Sequence, residues 1–79
     1  MKTFEQLKIG DKLYIYNSLL QSMLIARVES TEQLKSKMLK LCYTNDKFDE
    51  DCIVFTNAGK QKSRVNLNDN IIFSTEPIQ

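Results

Sequence analysis

Histidine and tryptophan are absent from these 79 residues, proline occurs once, and glycine and cysteine occur twice each. Each scarcity closes off a class of chemistry. Without histidine the chain lacks the side chain most often used for general acid–base work near neutral pH. A serine nucleophile would need another base, such as a lysine of shifted pKa, and no motif points to one. Gly10 and Gly59 are too few to build a phosphate-binding loop or a dinucleotide-binding turn, which need several glycines for close backbone approach. No enzymatic activity and no cofactor are therefore expected. Cys42 and Cys52, with no histidine beside them, cannot complete a tetrahedral zinc site unless carboxylates join them or two chains share it. The simplest expectation is two free thiols in a reducing compartment.

Long apolar runs are missing as well. No stretch approaches the roughly 20 residues of a membrane span. The opening Met1-Lys2-Thr3-Phe4-Glu5 is not followed by the apolar core of a secretory signal. The expectation is a cytoplasmic protein without membrane association. Charge of one sign is also lacking: 11 basic against 10 acidic residues leave a net charge of +1. Dedicated nucleic-acid binders carry a clear basic excess, because phosphate neutralisation supplies much of their affinity.

What remains is a globular composition, 42% hydrophobic and 27% charged, which excludes a disordered body. The length suits a single domain over residues 1–79. A chain this short buries only roughly 60% of its unfolded surface. A thin core follows, and a shallow groove or flat binding face is easier to build than an enclosed active site.

The chain reads as short strands. Thr3 to Lys8 forms one helical turn, with Thr3 and Gln6 in capping-box spacing. Gly10 ends it with a positive φ. Residues 12–16 alternate as a strand, with Leu13 and Ile15 inward. Ser22 to Glu29 is the second, with Leu24, Ala26 and Val28 inward; the loop before it, with Leu19 and Leu20, is oddly apolar. Residues 30–37 read as a polar loop, followed by a strand from Met38 to Thr44. The alternative is a helix over 31–41, which would make the fold α+β. Residues 51–56, 62–67 and 71–74 complete the set, with a turn at Asn57-Ala58-Gly59. If 38–44 and 51–56 form a hairpin centred on Lys47, opposed positions sum to 94. Leu39 then faces Phe55, Leu41 faces Ile53 and Cys42 faces Cys52, and the agreement of the apolar partners supports that register. The predicted core is Leu7, Ile9, Leu13, Ile15, Leu24, Ala26, Val28, Leu39, Leu41, Ile53, Phe55, Val65, Leu67, Ile71 and Phe73.

The segment Leu7-Lys8-Ile9-Gly10-Asp11-Lys12-Leu13-Tyr14 resembles the opening of SH3-like small barrels, in which an apolar residue and a Gly-Asp turn lead into the first strand. The whole chain is similar in length and strand rhythm to uncharacterised bacterial small-barrel proteins. The resemblance implies a mostly β fold: a small barrel of five or six antiparallel strands with an N-terminal helical turn. It implies no activity, because small barrels serve as peptide binders, nucleic-acid binders and structural modules.

Three groups of residues invite a binding role. Tyr14, Tyr16, Met23, Ile25 and Val54 fall on the outer faces of their strands. An apolar set of this kind marks a protein partner or a homo-oligomer contact, with Tyr14, Tyr16, Ile25 and Val54 as the partner-binding candidates. Lys60, Lys62 and Arg64 are the candidates for the alternative, weak binding of single-stranded nucleic acid, where cations beside aromatic platforms grip the strand; the simpler reading is a solvated face guarding an edge strand. The cysteine pair reads as a redox-responsive pair, half of a shared metal site, or two small apolar side chains on neighbouring strands. The acidic run Asp46, Asp49, Glu50 and Asp51 lacks the spacing and glycine of a calcium loop and reads as solvated. A non-catalytic protein-interaction or structural module is the leading expectation.

Overall fold

The computed structural model describes residues 1–45 and 49–78, so Asp46 and the hairpin centre Lys47 lie outside the described residues. It is mostly β, as expected. Six strands, β1 (Lys12–Asn17), β2 (Ser22–Gln33), β3 (Leu39–Thr44), β4 (Glu50–Phe55), β5 (Arg64–Asn66) and β6 (Ile71–Ser74), join in one antiparallel sheet. Its order is β4-β3-β2-β1-β6-β5. The sheet curls into a half-barrel, with β4 and β5 as its two edges.

Alternation explains the curl. Leu13, Ala26, Val28, Leu39, Leu41, Ile53, Phe55 and Phe73 are buried on the concave face, with Ile15, Val65 and Ile71 packed against them. Burying one face of a six-stranded sheet without a second layer requires the sheet to fold toward itself. Tyr43 of β3 thereby meets Phe73 of β6 edge-on, ring centroids 5.9 Å apart. A β-bulge between Val28 and Ser30 shifts the β2–β3 register and adds local twist and bend.

The N-terminal turn, Phe4–Gln6, is a 3-10 turn that plugs the concave face. Phe4 is fully buried and stacks on Phe55 at 4.3 Å, and its N–H donates to the Lys62 carbonyl at 3.0 Å. Of the expected capping box, one half is made: the Thr3 N–H donates to Gln6 Oε1 at 2.9 Å. Gly10 adopts φ +92°, as its position after the turn requires. Asp11 accepts hydrogen bonds from Lys2 Nζ and the Lys8 N–H, each at 2.9 Å. The Lys2 ammonium, then the Lys8 N–H, hold the Asp11 carboxyl below the ordinary value.

The hairpin register is borne out pair by pair: Leu39↔Phe55, Leu41↔Ile53 and Cys42↔Cys52. Four expectations are corrected. β2 continues to Gln33, four residues past its expected end, because the β3 backbone takes Ser30 to Gln33 as its partner. The alternative helix over 31–41 is replaced by strand and a 3-10 turn at Lys35–Lys37. Ile9 and Leu67 are 73% and 55% exposed and leave the core, and half-buried Leu24 is not part of the packed cluster. Phe4 and Tyr43 enter it, since the turn presents Phe4 inward while Ile9 falls on its outer side.

Candidate interaction surfaces

The sheet regroups the candidate residues. Cross-strand partners share a face, so the ladder places outer-face residues in rows. One row is Arg64–Ser74–Tyr14–Ile25 and the next is Asn66–Ile72–Tyr16–Met23. Tyr14, Tyr16, Met23, Ile25 and Ile72 are therefore contiguous. The tight turn after β1 adds Leu19 and Leu20, 74% and 72% exposed. Asn17 shapes that turn: its Oδ1 accepts the Leu19 and Leu20 N–H groups at 3.0 and 3.1 Å, an Asx turn. This satisfies the backbone while both leucine side chains face water. Their apolar character was visible in the sequence; that they cap the same hairpin as the tyrosine strip was not. Val54 does not belong to it. It sits on β4, in the row Glu32–Lys40–Val54, with two strands between it and β1.

The basic group is also divided. Lys60 is buried, 8% exposed, and its ammonium lies 3.6 Å from a Glu5 carboxylate oxygen and 3.3 Å from Gln33 Oε1. Its charge serves the 3-10 turn Gly59–Gln61 and its contact with the N-terminal turn. Lys60 is thus corrected from a surface contact to a structural one. Lys62 and Arg64 are exposed.

Both line a groove of about 380 Å³ between the two sheet edges, with Ile53, Val54 and Phe55 of β4 and Val65, Asn66 and Leu67 around β5. Antiparallel partners alternate between hydrogen-bonded pairs and closer non-bonded pairs. Cys42 and Cys52 have Cα atoms 4.0 Å apart, the close spacing, so the peptide groups of Glu50, Cys52 and Val54 point away from β3. The Cys52 N–H is capped by its neighbour Asp51 Oδ1 at 2.9 Å. On β5 the Ser63 carbonyl accepts from the Thr75 N–H and the Leu67 N–H donates to Ile71. The intervening Arg64 and Asn66 therefore direct their peptide groups away from β6. Among the described residues, Val54, Arg64 and Asn66 bring open strand-edge groups to the groove.

The cysteines are joined. Cys42 and Cys52 form a disulfide on the outer face, which corrects the expectation of free thiols. A carboxylate oxygen of Glu50 and the two sulfurs lie within 4.8 Å of one another. Glu50 stands two residues before Cys52, so the pleat returns both to the same side. It also lines a hollow of about 500 Å³ with Lys12, Ile25, Arg27, Glu29 and Thr44.

No protein-family model, curated protein or solved structure matches the chain. No helix among the described residues is long and apolar enough to cross a membrane.

Proposed function

We propose that this chain is a non-catalytic protein-interaction module that self-associates through the outer face of the β1–β2 hairpin. The observation that carries the reading is the contiguity of Met23 and Ile25, both exposed, with the half-buried rings of Tyr14 and Tyr16, together with exposed Leu19 and Leu20 in the turn of the same hairpin. Exposed apolar surface of this kind costs solvation free energy that association recovers. A second copy is the favoured occupant, because an apolar strip is complementary to itself across a two-fold axis. Sedimentation tests it. The chain is expected to form dimers, and Tyr14→Ser/Tyr16→Ser or Leu19→Ser/Leu20→Ser is expected to leave monomers with an unchanged far-UV CD spectrum. A wild-type chain that stays monomeric at high concentration refutes self-association. The SH3-like small-barrel resemblance and a cytoplasmic location belong to the same proposal; the disulfide is the observation that weighs against a permanently reducing compartment.

A second reading rests on the groove. Open backbone groups on Val54, Arg64 and Asn66, apolar walls and the cations Lys62 and Arg64 suit an extended peptide alternating apolar and acidic side chains, added as a strand. A displayed library of such peptides is expected to enrich binders that lose affinity for Val54→Pro, which removes an edge N–H without touching the β3 ladder, and for Lys62→Glu/Arg64→Glu. Equal binding to Val54→Pro would refute strand addition. Labelled single-stranded RNA serves as the comparison ligand. Salt-sensitive RNA binding lost in Lys62→Glu/Arg64→Glu would favour the nucleic-acid alternative instead.

A further inference from the structure

We propose that Cys42, Cys52 and Glu50 form a two-state site: a cross-strand disulfide when oxidised, and a three-ligand Zn²⁺ site when reduced. Two thiolates and a carboxylate are ligand types that zinc takes, and three protein ligands leave its fourth position open. The ladder supplies the placement. Cys42 and Cys52 are direct partners, and Glu50 lies in the adjoining row opposite Thr44, with all three ligand atoms mutually within 4.8 Å.

Reduction by a dithiol transfers two electrons and two protons to the Cys42–Cys52 bond, and the reductant's own sulfurs become a disulfide. Zn²⁺ then displaces both thiol protons to solvent. The sulfurs separate to about 3.8 Å, as two zinc–sulfur bonds of about 2.3 Å at a tetrahedral angle require. Cys52 is exposed and free to make that rotation, whereas Cys42 is buried and held. The loaded site carries a net charge of −1. Two cations flank it in the ladder: Lys40, itself opposite Glu32, stands in the row on one side, and Arg27 shares the Thr44–Glu50 row on the other, where Glu29 accepts from Thr44. Glu50 borders the hollow, so the open coordination position has room for water. The three ligand residues are distinct from those of the hairpin strip and the groove, although Ile25 of the strip also borders the hollow.

The test uses the full chain reduced with a phosphine, and Co²⁺ as the spectroscopic probe, with Zn²⁺ as its competitor. One Co²⁺ per chain is expected, with a thiolate-to-cobalt charge-transfer band that Zn²⁺ abolishes. The band is expected to be absent in disulfide-oxidised protein and in Cys42→Ser and Cys52→Ser. Glu50→Gln, an exposed change that leaves the fold in place, is expected to weaken binding by about tenfold or more. A reduced chain with no thiolate band overturns the site. Glu50→Gln binding as tightly as wild type overturns the third ligand, and one metal per two chains overturns the open position.

Discussion

Phe4 offers the sharpest test of how this small domain is held together. Its ring is fully buried, stacked on Phe55 at 4.3 Å, and it belongs to a 3-10 turn that lies across the concave face of an open sheet. Truncating a buried phenylalanine to alanine costs about 3–5 kcal/mol, and the lost ring pair accounts for about 1 kcal/mol of that. A domain of 79 residues has a total stability of roughly 4–12 kcal/mol. Phe4→Ala is therefore expected to remove about a quarter or more of it. Urea unfolding followed by far-UV CD, with the disulfide kept intact, reads the change as a large fall in midpoint at constant slope. Ile9→Ser is the control: five residues away and 73% exposed, it is expected to stay within about 0.5 kcal/mol of wild type. A Phe4→Ala loss below about 1 kcal/mol would refute the reasoning, since the N-terminal turn would then be a passenger on a sheet that is stable without it.

Three further predictions concern polar groups and the cross-link. Glu5→Gln leaves the buried Lys60 ammonium its Gln33 hydrogen bond but no countercharge and is expected to cost about 1–2 kcal/mol, less than a fully buried pair because Glu5 is partly exposed, whereas Lys60→Met is expected to be neutral or stabilising; the opposite order in urea midpoints would refute the pairing. Burial first, and then the Asp51 carboxylate, hold the Tyr43 phenol above its ordinary value of 10.0. Above that pH the folded chain keeps a proton the unfolded chain loses, so stability is full below pH 10.0 and falls as pH rises through the raised value. Phenolate absorbance should place Tyr43 lower in Asp51→Asn, and no change in that variant would remove the carboxylate from the account. Reducing the disulfide, which spans a sequence separation of 10, is expected to cost about 3 kcal/mol of unfolding free energy by loop closure with the far-UV spectrum intact. A cost near zero would show that the unfolded chain keeps these residues together without the bond.

Period-two alternation by itself determined which side chains of most strands face inward and the register of the β3–β4 hairpin. A one-residue slip there would have turned Leu39, Leu41, Ile53 and Phe55 to water. Gly10, with no Cβ to clash, marked the end of the first turn. The binding candidates were legible as residue types but not as groups. Tertiary structure decided that Val54 joins Lys62 and Arg64 at the groove, while Tyr14, Tyr16 and Ile25 join Leu19 and Leu20 elsewhere. That grouping depends on β6 returning to pair with β1 across more than 50 residues, a contact that no local pattern encodes. β2 runs through Ser30 to Gln33 without alternation because β3 needs backbone partners there, and a peptide group left unpaired costs more than a weak strand propensity. Lys60 reads like its neighbours in sequence and became a buried pair only because the fold brings Glu5 and Gln33 to it. Glu50 likewise reads as one acid in a solvated run until the pleat sets it beside two sulfurs.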